Sequence, residues 1–203
     1  GHGRSQNIKT KDGIDNSSAH IKEIMDIERI DKVHLVGVSL GSLIAQDFAN
    51  QYPAMVLSLC AVGGYDINHY DKAIEKELGK QQLLFMARAI ISTKWFSKAN
   101  SLITAKTETA QKDFYEMNKM FKRRSFRYMA TLNKIFNKFQ IQREYPLMIL
   151  CGDCDNELAI GLAKKWNVTE KKSVFSTICN AGHCANMDNP EKFNEKLMEF
   201  LTR

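Results

Sequence analysis

The chain has 203 residues, enough for one domain with a substantial core, and its 44% hydrophobic and 26% charged residues are ordinary for a globular protein. No apolar run approaches the roughly 18 residues of a membrane span, and residues 1–5 are unlike a signal peptide, so we expect a cytoplasmic protein without stable membrane insertion. The five cysteines are odd in number and lie mostly in apolar runs, which favours reduced, buried thiols over a disulfide framework.

The first half of the chain predicts a strand, a turn, a helix and a second strand. After a polar loop and a helix ending near residue 30, residues 33–38 form a β-branched apolar run. An amphipathic run follows through residue 48, and residues 55–62 are again apolar and of strand length. Two strands separated by a helix predict a parallel sheet.

The middle of the chain, residues 65–145, predicts a helical insertion. It contains one glycine and no proline, and its apolar residues recur with helical spacing. One predicted apolar seam consists of Phe114, Met117, Phe121, Tyr128, Leu132, Ile135 and Phe139. Strands and helices then alternate again, with strands at 147–151 and 173–178 and helices at 157–166 and 190–201.

Between the first strand and its helix stands Gly-Val-Ser-Leu-Gly at 37–41. In a loop this short pattern can arise by chance, but between a strand and a helix it indicates a nucleophile elbow. Such a turn holds Ser39 in a strained backbone conformation, and we expect Gly37 and Gly41 to relieve the clash between its neighbours.

A serine nucleophile needs a base and a group that orients the base. In a parallel sheet such groups follow the carboxyl ends of other strands. Asp153 and Asp155 are both candidates after the third strand, and His183 follows the fourth. The order Ser, Asp, His along the chain is that of the α/β-hydrolase triad.

The chain resembles the esterase- and lipase-like members of the α/β-hydrolase superfamily. The resemblance lies in Gly-Val-Ser-Leu-Gly, in Gly-x-x-Asp at 152–155 and in Ala-Gly-His-Cys-Ala-Asn-Met-Asp-Asn-Pro-Glu at 181–191. The opening Gly-His-Gly-Arg-Ser resembles the loop after that fold's fourth strand. The resemblance implies Ser39 as nucleophile, His183 as general base and acid, and Asp155 as the orienting carboxylate. It also implies the backbone N–H of Leu40 as one oxyanion donor.

The resemblance further implies how the chain is divided. Residues 1–64 and 146–203 correspond to the α/β core, and residues 65–145 to a helical cap or lid. In the family, four strands and a second oxyanion donor precede the Gly-His-Gly-Arg-Ser loop, so we expect the N-terminal half of the sheet to be missing from this chain. The elbow strand is then expected at an exposed sheet edge, through which two copies of the chain could pair.

The other histidines and the cysteines are better explained as structural or surface residues than as catalytic or metal-binding ones. His34 lies inside the elbow strand, while His20 and His69 are expected at the surface. Cys184 is expected in a pocket wall rather than as a nucleophile. The pattern Cys151-Gly152-Asp153-Cys154 is a weak zinc or redox signal, and a strand-end coincidence explains it better.

The net charge of +6 is located in the insertion. Residues 65–145 hold 16 Lys and Arg against 8 Asp and Glu, which leaves the remainder slightly acidic. Residues 121–128 interleave basic and aromatic side chains, as a nucleic-acid patch would. In a helix the aromatic residues fall on the apolar seam, so a solvated cap face is favoured and no nucleic-acid partner is expected.

The sequence therefore predicts a serine hydrolase that cleaves a small apolar carboxylic ester or a related acyl compound through an acyl-enzyme, with no metal or organic cofactor. Acyl transfer, thioester cleavage and carbon–carbon bond hydrolysis use the same triad and stay open. Serine at position 39 excludes the aspartate nucleophile used by relatives that act on haloalkanes or epoxides. The alternative is a non-catalytic or slowly catalytic binding or signalling protein that captures a small ligand on the same fold.

Overall fold

The computed structural model describes residues 12–70, 74–76, 79, 92–121, 128–139 and 142–202. The elements in chain order are α1 Ser17–Ile27, β1 Val33–Val38, α2 Leu40–Gln51, β2 Val56–Val62, α3 Thr93–Thr104, α4 Glu108–Lys119, β3 Leu147–Gly152, α5 Glu157–Thr169, β4 Ser173–Ile178, α6 Ala185–Asp188 and α7 Pro190–Leu201. Short 3₁₀ helices span Ile14–Asn16, Pro53–Met55 and Leu132–Ile135. The four strands form one parallel sheet in the order β1-β2-β3-β4. The predicted α/β fold class is confirmed.

Helices cover both faces of the sheet, which explains the composition of the strands. The central strands β2 and β3 are buried along almost their whole length, whereas β1 and β4 carry several exposed residues. Strands covered on both faces read as continuous apolar runs. One face packs in a core with α1, α2 and α5, and the other packs against α7.

Most predicted boundaries agree with the structure. β1, β4 and α7 have the predicted bounds, β2 begins one residue later than predicted, and β3 and α5 are longer. The four-residue helix α6 was not predicted. The division into core and cap stays a prediction, with α3 and α4 as described helices of the segment 65–145.

The predicted apolar seam is not one continuous helical stripe. Phe114 is half-buried, but Met117, one turn later, is 48% exposed. Ile135 is buried with Leu43 and Ile67 in a separate small core. The seam was wrong because α4 ends at residue 119 and residues 132–135 form a 3₁₀ helix.

β1 is the edge strand of the sheet formed by the described residues. Val36, in the middle of β1, is 44% exposed. The motif at 1–5 and the basic segment 122–127 lie outside the described residues, and pairing of two copies through β1 stays a prediction. Within the described parts of the chain, no helix is long and apolar enough to cross a bilayer.

Candidate active site

Ser39 and His183, two of the three residues predicted to act together, follow the two outer strands of the sheet. Ser39 follows β1, Asp155 follows β3 and His183 follows β4. With adjacent strands about 4.8 Å apart, β1 and β4 are separated by about 14 Å across the sheet. The loop after β4 must therefore cross the ends of β3 and β2 for His183 to reach Ser39.

Backbone contacts show how this loop crosses the end of β3. The amide of Cys154 donates to the carbonyl of Ala181 at 2.9 Å, and the amide of Ala181 donates to Asp153 Oδ1 at 3.2 Å. Gly152 permits this approach, because a Cβ at that position would lie 2.1 Å from the oxygen of Ala181. Asp153 thus fastens the loop after β4, and hydrogen bonds from the backbone of Asn180 and of Ala181 hold the pKa of its carboxyl below the usual range.

Ser39 occupies the strained turn that the sequence predicts. Its φ of 52° and ψ of −121° are unusual for a residue with a side chain, and such strain costs about 1–3 kcal/mol. Ser39 donates its amide to Val62 O at 2.7 Å, and its carbonyl accepts from the hydroxyl of Ser42 at 2.6 Å. These bonds hold the turn between β1 and α2.

The two glycines of the elbow differ in what they do. A Cβ on Gly37 would lie 2.5 Å from the carbonyl oxygen of Gly41, so the predicted clash is real at position 37. A Cβ on Gly41 would meet nothing within 4 Å outside its own helix. The expectation that Gly41 also relieves a clash was wrong, because the space that a Cβ on Gly41 would enter is open.

The predicted triad residues lie within hydrogen-bonding distance of one another. His183 Nε2 is 2.8 Å from Ser39 Oγ, and His183 Nδ1 is 2.9 Å from Asp155 Oδ2. The Asp155 side chain is 2% exposed and that of His183 is 21% exposed. The other carboxylate oxygen of Asp155 accepts from the amide of Asn156 at 2.7 Å and from its side chain at 3.2 Å. Asp155 is thus held by bonds to both oxygens, and it is the aspartate that contacts His183.

A cavity of about 560 Å³ opens beside Ser39 and His183. This volume lies within the range of about 300–1,000 Å³ typical of small-molecule sites. Its apolar lining comes from both the core and the predicted cap: Val38, Leu40, Leu43, Ala159, Leu162 and Met187, with Ile103 and Phe114. Its polar lining includes Tyr65, Asn100, Thr104, Asn156 and Asn186. Among the described lining residues there is no lysine, arginine or carboxylate.

A model of the family described as "alpha/beta hydrolase fold" matches residues 1–190. The chain belongs to the α/β-hydrolase family.

Individual relatives are distant. The chain is 26% identical, over 217 aligned positions, to Epoxide hydrolase 1 of Caenorhabditis elegans. The alignment covers 94% of this chain and 53% of that protein. It therefore spans about half the length of that relative. An esterase from Thermogutta terrifontis matches with a TM-score of 0.80 and 17% identity, over 100% of this chain and 76% of its own. A bromoperoxidase from Bacillus anthracis matches with a TM-score of 0.77 and 16% identity, over 100% of this chain and 79% of its own. At these identities the structural matches establish the fold alone.

Within this hydrolase fold, Leu40 is the first residue of α2 and lines the cavity. The first amides of a helix have no intrahelical acceptor and carry a partial positive charge. The assignment of the Leu40 amide as an oxyanion donor stays a prediction.

The cysteines and the other histidines lie outside the triad. Cys184 lines the cavity but is buried, which raises the pKa of its thiol to about 12 and disfavours the nucleophilic thiolate. Burial likewise raises the pKa of Cys151 to about 11. Cys60, Cys151 and Cys184 are buried as expected, whereas Cys154 and Cys179 are exposed. His34 Nδ1 is 2.7 Å from the hydroxyl of Ser58 on β2. Among the described residues, no three His, Cys, Asp or Glu side chains are grouped to hold a metal ion.

Sequence reasoning missed two residues that contact the histidine loop. Gly63, after β2, has a φ of 59° and lies against the His183 ring. Asp188, five residues after His183, accepts from the amide of Gly182 at 2.8 Å. Gly63 could have been found from its place at the end of the strand between β1 and β3. Asp188 depends on contacts with the predicted cap, which no local pattern signals.

Proposed function

We propose that this chain carries the active site of a serine hydrolase that cleaves a small, uncharged, apolar carboxylic ester through an acyl-enzyme. The observation that carries the proposal is the position of His183, which lies 2.8 Å from Ser39 Oγ on one side and 2.9 Å from Asp155 Oδ2 on the other. Nucleophile, base and orienting carboxylate in this sequence are the arrangement that acyl transfer requires.

In the acylation step, Ser39 Oγ attacks the ester carbonyl carbon while its proton passes to His183 Nε2. Asp155 holds Nδ1 of the ring and stabilises the imidazolium that forms. The oxyanion of the tetrahedral intermediate accepts from the Leu40 amide, and donors of this kind contribute about 100- to 1,000-fold in turnover. His183 then gives its proton to the departing alkoxide, and an alcohol leaves.

Deacylation uses the same groups in reverse. Water loses a proton to His183 Nε2 and attacks the acyl carbon, and the proton returns to Ser39 Oγ as the carboxylic acid leaves. The apolar lining of the cavity favours an alkyl or aryl acyl group, since a carboxylate on the substrate would lose its hydration without a described cationic partner. Serine at position 39 favours an acyl-enzyme over the chemistry named for the epoxide hydrolase relative.

The test is the turnover of p-nitrophenyl acetate, butyrate and octanoate, together with a hemisuccinate ester of the same phenol. It is run on residues 1–203 and, in parallel, on a version with whatever natural sequence lies upstream of residue 1. We expect hydrolysis of the neutral esters, at least about 10-fold lower kcat/KM for the charged ester, and loss of activity in Ser39→Ala.

Ser58→Ala is the matched control, because that hydroxyl pairs with His34 instead of His183. It should keep the activity of the parent chain. Equal turnover by parent and Ser39→Ala would overturn the assignment of the nucleophile. Tight binding of the esters without turnover in either version would favour a ligand-binding protein on the same fold.

A further inference from the structure

Asp188 joins the histidine loop to the start of α4. Its carboxylate accepts from the amide of Gly182 at 2.8 Å, from the amide of Lys106 at 2.9 Å and from the amide of Thr107 at 2.7 Å. The hydroxyl of Thr107 donates to Oδ1 as well, at 2.9 Å. One side chain thus accepts from two stretches of chain that are more than 70 residues apart.

The histidine is fastened to the same segment on its other side. The amide of Cys184 donates to the carbonyl of Thr104 at 2.9 Å. Both residues that flank His183 are therefore bonded to the segment 104–107, directly or through Asp188. A Cβ on Gly182 would lie 3.3 Å from Thr104 O and 3.4 Å from the Lys106 amide, so the two segments are in close contact.

This segment also borders the substrate cavity. Asn100, Ile103 and Thr104, at the carboxyl end of α3, line the cavity beside Ser39. The same short stretch therefore contacts both the space for substrate and the loop that carries the candidate base.

We propose that Asp188 is a positioning residue, which fixes the direction of the His183 ring by fastening the histidine loop to the segment 104–107. Ionised carboxylate oxygens are strong acceptors, and those of Asp188 bind three amides and a hydroxyl from neighbouring segments. Without them the loop keeps the Thr104 bond and the Ala181 bonds to the residues after β3, and His183 can shift between these attachments, which moves Nε2 relative to Ser39 Oγ. The proposed effect on rate rests on the proposed hydrolase function, while the effect on the ring does not.

The test compares Asp188→Asn with Glu195→Gln, a carboxylate-to-amide change at an exposed residue of α7 that pairs with Lys192. In Asp188→Asn the new NH₂ group faces amide donors. We expect its kcat for a p-nitrophenyl ester to fall about 10- to 100-fold with KM within about 3-fold, because a displacement of about 1 Å can cost 100-fold in rate. Glu195→Gln should keep both constants.

A second measurement does not need turnover. In NMR spectra, we expect the ring ¹H, ¹³C and ¹⁵N signals of His183 to shift or broaden in Asp188→Asn and to stay in place in Glu195→Gln. Unchanged ring signals, or a lower melting temperature with unchanged kcat, would overturn the positioning role. If no version of the chain hydrolyses an ester, the proposed function fails and the ring signals still decide the role of Asp188.

A milder pair guards against a variant that does not fold. Thr107→Val removes the hydroxyl that donates to Asp188, and Thr107→Ser keeps it. We expect kcat to fall several-fold in Thr107→Val only, with the same ring signals affected. Equal kcat and ring signals in both variants would contradict the proposal.

Discussion

Gly63 lies directly against the imidazole of His183. A Cβ built on Gly63 would come within 2.9 Å of the ring's Cε1 and 3.0 Å of its Nδ1. Gly63 follows β2, the strand that His183 must pass on its way from β4 to Ser39. The absence of a side chain at this point lets the ring reach its place.

We expect Gly63→Ala to lower kcat by about 10- to 100-fold, because the added methyl group displaces the ring from Ser39. Because Gly63 has a φ of 59°, any residue with a side chain there also lowers the free energy of unfolding by about 1–2 kcal/mol. Steady-state kinetics and chemical denaturation measure the two effects separately.

Gly161→Ala is the matched control for that substitution. Gly161 lies in α5, and a Cβ there would meet nothing within 4 Å outside the helix. Alanine favours a helix over glycine by up to about 1 kcal/mol, so this variant should be as stable as the parent or more so, with unchanged kcat. If Gly63→Ala behaved in the same way, the close contact with His183 would have no consequence for catalysis.

The two aspartates after β3 offer a second comparison. Asp155→Asn removes the carboxylate that holds His183 Nδ1, and we expect kcat to fall about 10,000-fold, the size of loss known for such a change in a serine protease triad. Asp153→Asn changes the acceptor for the backbone amides of Asn180 and Ala181 but leaves the Asp155–His183 hydrogen bond in place, so its kcat should fall less than about 10-fold. The reverse order of effects in ester hydrolysis would assign the orienting role to Asp153.

A buried ion-pair network joins the two ends of the segment predicted to form the cap. Arg143, 3% exposed, donates to Asp66 at 2.7 Å and to Glu170 at 2.6 Å. Its guanidinium carbon also lies 5.2 Å from the centre of the Trp166 ring. The network connects residues 66 and 143 to α5 of the core.

We expect Arg143→Met to lower the free energy of unfolding by about 3–5 kcal/mol, because it leaves Asp66 buried without its cation. Lys172→Met is the control: Lys172 pairs with Glu144 at the surface, where such pairs contribute about 0–1 kcal/mol. Urea denaturation at neutral pH measures both. Similar losses in the two variants would mean that the buried network does not fasten the segment.

The same network predicts how stability depends on pH. Burial alone would raise the pKa of Asp66, but the charge and hydrogen bonds of Arg143 hold it below its ordinary value of 3.8. Since the folded pKa is depressed, the stabilisation is present above pH 3.8 and is lost as the pH falls through the folded pKa. The stability difference between the parent and Asp66→Asn should therefore shrink below pH 3.8, and a constant difference down to pH 2 would contradict it.

Much of the site could be predicted because each of its residues follows its own strand. Short apolar runs in the sequence predict the strands, and the parallel topology brings the carboxyl ends of those strands to one edge of the sheet. Contacts between distant segments could not be predicted in this way. Ile24 and Ile27 have apolar side chains at helical spacing but are 60% and 71% exposed, because hydrophobic spacing does not tell which face meets the core. Asp188 is likewise a polar residue of α6, and only its packing against the segment 104–107 gives it a role.

The most direct measurement of the central proposal is the mass of the protein during reaction with a slowly hydrolysed carbamoyl or phosphonyl aryl ester. We expect one adduct per chain, located on Ser39 by peptide mapping, absent in Ser39→Ala and formed at least about 100-fold more slowly in His183→Ala. An adduct on another residue, or equal labelling of the parent and Ser39→Ala, would contradict the assignment of Ser39 as the nucleophile.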